Sequence, residues 1–234
     1  MYWHPNIFDM IVIGDVHGKV DEYLRIIQRS RASIQVGDFG FKSAHEWHLN
    51  TVDPDKHKVI FGNHDYYPML DAPHSLGNYA MLDGGVMTIR GAWTRDKVGT
   101  EWVLEKDMHG NHIIDEETGQ KLKKLVSFRR VEGMDIFEHQ DELSVSEGNE
   151  VLDKFIEHKP SIVISHECPM DAAIEMMAGL DRSPDKTRTT QLLQGCFEQH
   201  QPDLWIFGHY HWAHEFKING TRFVCLDELQ VMEL

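Results

Sequence analysis

The chain has 234 residues, 41% of them hydrophobic, with 38 acidic against 23 basic side chains and a formal net charge of −15. That apolar content excludes a disordered chain, and the length suits one substantial core, read as a single domain over residues 1–234. The negative charge argues against non-specific binding to nucleic acid or to an anionic membrane surface, both of which repel it at long range.

Short apolar runs alternate with amphipathic stretches, the pattern of an α/β protein. Met10–Ile13 reads as a buried strand. Val20, Tyr23, Leu24 and Ile27 then fall on one face of a helix. Strands are predicted over Ser33–Val36, Lys58–Phe61 and Val86–Ile89, the last following Gly84-Gly85. Residues 94–140 differ in character. They are charged, hold His109-Gly110-Asn111 and Thr118-Gly119, and carry Lys121, Lys123, Lys124, Arg129 and Arg130. This stretch reads as a surface insertion bearing a hairpin. The α/β rhythm resumes with a helix marked by Val151, Leu152, Phe155 and Ile156, and a strand over Ser161–Ile164. A helix over Met170–Ala178 follows, then one marked by Leu192, Leu193, Cys196 and Phe197, then a strand over Leu204–Phe207. Glu215–Leu226 reads as a hairpin turning at Asn219-Gly220.

Three cysteines, Cys168, Cys196 and Cys225, are too few and too scattered for a disulfide framework, and an odd number of free thiols fits a cytoplasmic protein. Residues 1–10 lack the basic start of a signal peptide, and no apolar run approaches the ~18 residues of a membrane span. Sixteen histidines direct attention to metal ligation.

Five predicted strands run directly into polar clusters. They end in Gly14-Asp15-Val16-His17-Gly18, Gly37-Asp38-Phe39-Gly40, Gly62-Asn63-His64-Asp65, Ser165-His166 and Gly208-His209-Tyr210-His211. Ligands of open α/β sheets collect beyond the carboxyl ends of the strands, so these loops can converge. Asp, His and Asn supply the oxygen and imidazole donors chosen by divalent Mn, Fe and Zn. Residues i and i+2 of an extended segment point the same way, which aims Asp15 with His17, and His209 with His211, at a common centre. A lone Asp-x-His or Gly-Asp is ordinary loop chemistry. The weight lies in the set of five, each at the same topological position.

In that order, the motifs resemble the calcineurin-like metallophosphoesterase superfamily, from residue 14 to residue 211. The resemblance implies two mixed β-sheets packed face to face and flanked by helices, with two divalent metal ions at the strand ends. It implies Asp15, His17 and His211 as ligands of the first ion and Asn63, His166 and His209 as ligands of the second. Asp38 would bridge them, and His64 would stand beside the site without binding metal; its imidazole suits the catalytic task of protonating the leaving alkoxide or stabilising its charge. The implied reaction is hydrolysis of a phosphate ester by a bridging hydroxide. Asp65 is open between orienting His64 and being an exposed loop carboxylate. Arg188, Arg95 and Arg182 are candidate substrate contacts because a planar guanidinium suits phosphate.

Serine/threonine protein phosphatases of the superfamily extend the second motif with Asp-Arg-Gly, whereas here Gly37-Asp38 continues as Phe39-Gly40-Phe41. That departure counts against a phosphoprotein phosphatase and favours a small phosphomonoester, nucleotide or phosphodiester as substrate. The rival reading is a non-catalytic binding module that retains the fold. No protein partner is indicated.

Overall fold

The computed structural model describes residues 10–40, 52–65, 67–93, 98–104, 114, 121, 123–131, 134–137, 141–180 and 183–234. The chain divides into two compact units, one of residues 1–94 with 141–234 and one of residues 95–140.

In the larger unit, strands β1 (Met10–Ile13), β2 (Ala32–Gln35) and β3 (His57–Val59) run parallel, with helix α1 (Val20–Ile27) between the first two. The second sheet begins with β4 (Tyr79–Leu82) and β5 (Val86–Ile89), an antiparallel pair around the Asp83–Gly85 turn. In the smaller unit β6 (Val98–Leu104), β7 (Lys123–Val131) and β8 (Met134–Phe137) form an antiparallel sheet in that order. Lys121 there bridges to Ile114, while His109–Asn111 and Thr118-Gly119 lie outside the described residues.

The larger unit resumes with α2 (Val145–His158), β9 (Ile162–Ser165), α3 (Met170–Met176), α4 (Arg188–Gln199) and β10 (Leu204–Phe207). The hairpin of β11 (His214–Ile218) and β12 (Thr221–Cys225) turns at Asn219-Gly220, both with positive φ, and β13 (Val231–Glu233) follows. One sheet has the order β13-β1-β2-β3 and the other β11-β12-β10-β9-β5-β4. Both are mixed, since β13, β11 and β4 run antiparallel to their neighbours.

The period-2 alternation of the strands builds the layers. Met10, Val12 and Ile34 from one sheet meet Val86, Ile164, Ile206 and Val224 from the other in a buried core between the sheets. The opposite faces carry helices. Ile13, Val59 and Phe61 pack on Tyr23 and Ile27 of α1. Met87, Val163, Trp205, Phe207 and Phe223 pack on Val151 and Phe155 of α2, Ala172 and Ala173 of α3, and Leu193 and Phe197 of α4. The result is the four-layer α-β-β-α architecture.

Helix α2 starts where its sequence says it must. Ser144 Oγ accepts from the Glu147 N–H (3.3 Å), and the Ser144 N–H donates to Glu147 Oε2 (2.8 Å), a reciprocal capping box. It ends at Lys159, in the left-handed region at φ 46°, just before Pro160. Among the described residues no helix is long and apolar enough to cross a membrane.

Ser144→Ala removes the cap oxygen and is expected to cost about 1 kcal/mol. Phe155→Ala empties the space between α2 and the stacked Trp205 ring (6.1 Å) and is expected to cost about 3–5 kcal/mol. Urea unfolding monitored by circular dichroism checks both.

Candidate metal centre

The parallel strands of the two sheets deliver their carboxyl ends to one place. Asp15 follows β1, Asp38 follows β2 and the Gly62–Asp65 turn follows β3, while His166 follows β9 and His209 follows β10. The loops are tied by backbone bonds. The N–H groups of Val16 and His17 donate to the Asp38 carbonyl (3.1 and 2.8 Å), and Gly18 N–H donates to the Phe39 carbonyl (2.8 Å). Buried Gln35 adds a side-chain stitch, its amide donating to the carbonyls of Gly14 and Gly37.

Seven predicted donors meet in two overlapping groups. Asp15, His17, Asp38 and His211 offer ligand atoms within 4.8 Å of one another, as do Asp38, His166 and His209. Asp38 belongs to both. His17 Nε2 lies 2.7 Å from His211 Nε2, and His211 Nε2 lies 3.1 Å from Asp15 Oδ2. Asn63 Oδ1 lies 3.1 Å from His166 Nε2 and 3.0 Å from His209 Nδ1, which joins it to the second group. His166 Nδ1 faces the Val36 carbonyl (3.2 Å), a contact that places a proton there, so that in the neutral ring Nε2 carries the lone pair.

A cation fits this arrangement. Asp38 Oδ2 is buried without a hydrogen-bond partner, and the imidazole nitrogens and carboxylate oxygens around it are lone-pair donors turned toward one another. With its imidazoles neutral such a set is repulsive, and positive charge in its midst, from a cation or a protonated imidazole, satisfies it. Among the described residues the ion partners of Asp15 and Asp38 are imidazoles. Burial opposes ionisation of both carboxyls, yet His166 and the neighbouring histidines hold each below the ordinary carboxylate range. Burial also opposes protonation of His166, but Asp38 and Asp15 outweigh it and push its imidazole up to about 9.

Backbone geometry is committed to the site. His17, Asp38, His209 and His211 all have positive φ, between 47° and 68°. Non-glycine residues are held there only where the surroundings over-determine them. Glycines make the remaining room. A Cβ on Gly62 would overlap Asp38 Oδ1 and come within 2.7 Å of His166 Nε2, and one on Gly208 would overlap Asp15 Oδ1.

His64 is half-buried beside the groups. Its N–H donates to Asp38 Oδ1 (2.7 Å), and its ring stands edge-on to His17, with centroids 5.4 Å apart. Asp65 is no exposed loop carboxylate. It is buried and accepts from the N–H groups of Gly40 (2.9 Å) and Gly62 (2.8 Å), pinning the second motif to the third. Burial and the charge of Asp38 push it up to about 7 against those two donors.

Arg188 lies at the start of α4 with Glu142 as its ion partner (3.6 Å), and Arg95 and Arg182 lie outside the described residues. Sequence reasoning passed over Gln35, read as one residue of a buried strand, and Glu167, which lies 3.4 Å from His209. Only the immediate neighbours of these residues, Val36-Gly37 and His166, signalled a role.

Gly62→Ala is expected to displace Asp38 or His166 and to lower stability by about 1–3 kcal/mol, the usual cost of overpacking. Gly195→Ala, where a Cβ meets nothing within 4 Å, serves as control. Thermal denaturation of the two variants checks the difference.

The model of the family described as calcineurin-like phosphoesterase matches residues 8–213. No protein with a curated description matches the chain. Among solved structures, the chain aligns with a phosphopantetheinyl hydrolase from Mycobacterium tuberculosis at 12% identity and a TM-score of 0.48, covering 94% of this chain and 89% of that one. It also aligns with a conserved uncharacterised protein, a predicted phosphoesterase from Streptococcus pneumoniae TIGR4. There the identity is 11% and the TM-score 0.35, over 94% of this chain and 71% of that one. With its strand-end motifs gathered inside the matched span, the chain belongs to the calcineurin-like phosphoesterase family.

Proposed function

We propose that the protein hydrolyses a phosphate ester with two divalent cations, one held by Asp15, His17, Asp38 and His211 and the other by Asp38, Asn63, His166 and His209. The observation that carries this reading is Asp38, the one carboxylate common to both donor groups, with a buried oxygen that has no hydrogen-bond partner. Two bound cations of this kind lower the pKa of coordinated water toward ~7 and neutralise charge on phosphoryl oxygens.

The side chains do the rest. Asp38 sets the spacing of the two ligand groups, since each of its oxygens faces a different histidine: Oδ1 is 3.4 Å from His166 Nε2 and Oδ2 is 3.8 Å from His17 Nε2. His64, half-buried against His17, protonates the departing alkoxide or stabilises its charge, work suited to an imidazole near neutral pH. The net charge of −15 disfavours extended nucleic acid, and Phe39-Gly40-Phe41 after Asp38 counts against a phosphoprotein, which favours a small phosphomonoester, nucleotide or phosphodiester as the substrate class. Manganese, iron and zinc all suit this donor set.

Two measurements test the reading. With Mn²⁺, the protein is expected to turn over a chromogenic phosphomonoester or its diester analogue. Asp38→Ala should fall to background, and His64→Ala should lose about 10²–10⁴-fold in kcat. Turnover that neither substitution reduces would refute the site. Two bound ions with no turnover on any phosphate ester would leave a binding module instead. Separately, Mn²⁺ at a hundred times the Kd of a site is expected to stabilise the fold by about 2.7 kcal/mol for each ion bound. Chelation or Asp38→Ala should remove that gain, read as the shift in Tm.

A further inference from the structure

Behind His209, on the side away from Asn63, lies a buried polar cluster. Glu167 is only 3% exposed. Its Oε1 accepts from Tyr210 Oη (2.7 Å) and from the Cys168 N–H (2.9 Å), and its Oε2 lies 3.4 Å from His209 Nε2. The Cys168 thiol in turn lies 3.7 Å from Tyr210 Oη. His209 therefore stands between two partners, with Nδ1 toward Asn63 Oδ1 and Nε2 toward Glu167.

We infer that Glu167, held by Tyr210, is a positioning residue that fixes the orientation and tautomer of His209 for the second cation. The inference rests on the two-cation reading above and concerns which ring nitrogen keeps its lone pair. A carboxylate facing Nε2 favours the tautomer whose N–H is at Nε2, so in the neutral ring Nδ1 keeps its lone pair and is available as a ligand. A buried carboxylate is costly unless its oxygens are satisfied, and Tyr210 and Cys168 serve only Oε1. The ring edge of His209 at Nε2 faces the other, 3.4 Å away. Orientation and charge compensation are thus one interaction.

Glutamine at this position separates the two. Both donors on Oε1 require an oxygen there, so the amide nitrogen of Glu167→Gln would face Nε2. A donor facing a donor drives the ring proton to Nδ1 and removes the ligand lone pair while side-chain volume is unchanged.

The test is titration of Mn²⁺ into metal-free protein, followed by calorimetry and by electron paramagnetic resonance. Wild type is expected to bind two ions with an exchange-coupled spectrum. Glu167→Gln should retain one ion and bind the other about 10–100-fold more weakly, giving a mononuclear spectrum at low metal. Tyr210→Phe, which keeps the carboxylate but loses its hydroxyl anchor, should weaken the same ion to a smaller extent. Unaltered affinity for both ions in Glu167→Gln overturns the positioning role. If that variant does not fold, unaltered affinity for both ions in Tyr210→Phe overturns it. Failure of wild type to bind a pair of ions would instead sink the two-cation reading.

Discussion

Two carboxylates buried side by side, Asp15 and Asp38, impose the constraint to which the rest of the site answers. Like charges removed from water repel, and each loses hydration that must be replaced by hydrogen bonds or by opposite charge. Part of the replacement is backbone: the His209 N–H donates to Asp15 (3.0 Å) and the His64 N–H to Asp38 (2.7 Å). The remainder falls to histidines, whose neutral form can ligate a cation and whose protonated form is itself a counter-charge. The same residues would thus serve the fold with or without a cation among them, through different species.

Holding those charges together strains the chain. Four residues of the donor groups have left-handed backbone, at a cost of about 1–3 kcal/mol each for a side chain other than glycine. The ladders of both sheets and the core between them offset this, and the loops are cross-tied before any ion enters. Gln35 joins the first motif to the second, and Asp65 joins the second to the third. Tyr67 adds a bond to the Gly62 carbonyl (2.9 Å) beneath Asn63. These polar staples work alongside apolar side chains that stay buried beyond the strand ends, among them Val16, Val36, Phe39 and Phe61.

Much of this was legible in the chain itself. The strands are short and nearly wholly apolar, so each motif could be placed after one, and Asn219-Gly220 marked its hairpin. The boundaries slid. Ser33–Val36 is laid down as Ala32–Gln35 and Lys58–Phe61 as His57–Val59, because Val36, Ile60 and Phe61 remain buried after the ladder has ended. Strand β4 escaped notice since Tyr79, Ala80 and Met81 are only half-buried, and β13 because Val231 and Glu233 are exposed at a sheet edge. The site was legible as residue types but not as pairings. Nothing in Ser-His-Glu-Cys announces that Glu167 turns toward a histidine 42 positions later, since such a contact is made by the packing of β9 on β10.

The pairing of β13 with β1 carries a consequence for assembly. Met232 lies opposite Val12, Gly14 N–H donates to the Gln230 carbonyl (2.9 Å), and Leu229 N–H donates to the Asp15 carbonyl (2.9 Å). The first acidic loop is thus buttressed by residues more than two hundred positions downstream. A growing polypeptide emerging from the ribosome can lay down α1, its neighbouring strands and the ties from this loop to Gln35 and Asp38 early, yet the brace from β13 is missing until the segment around residue 230 is out. Loop closure over that separation is slow, so the pocket is among the last features to set, after the surrounding layers have already collapsed.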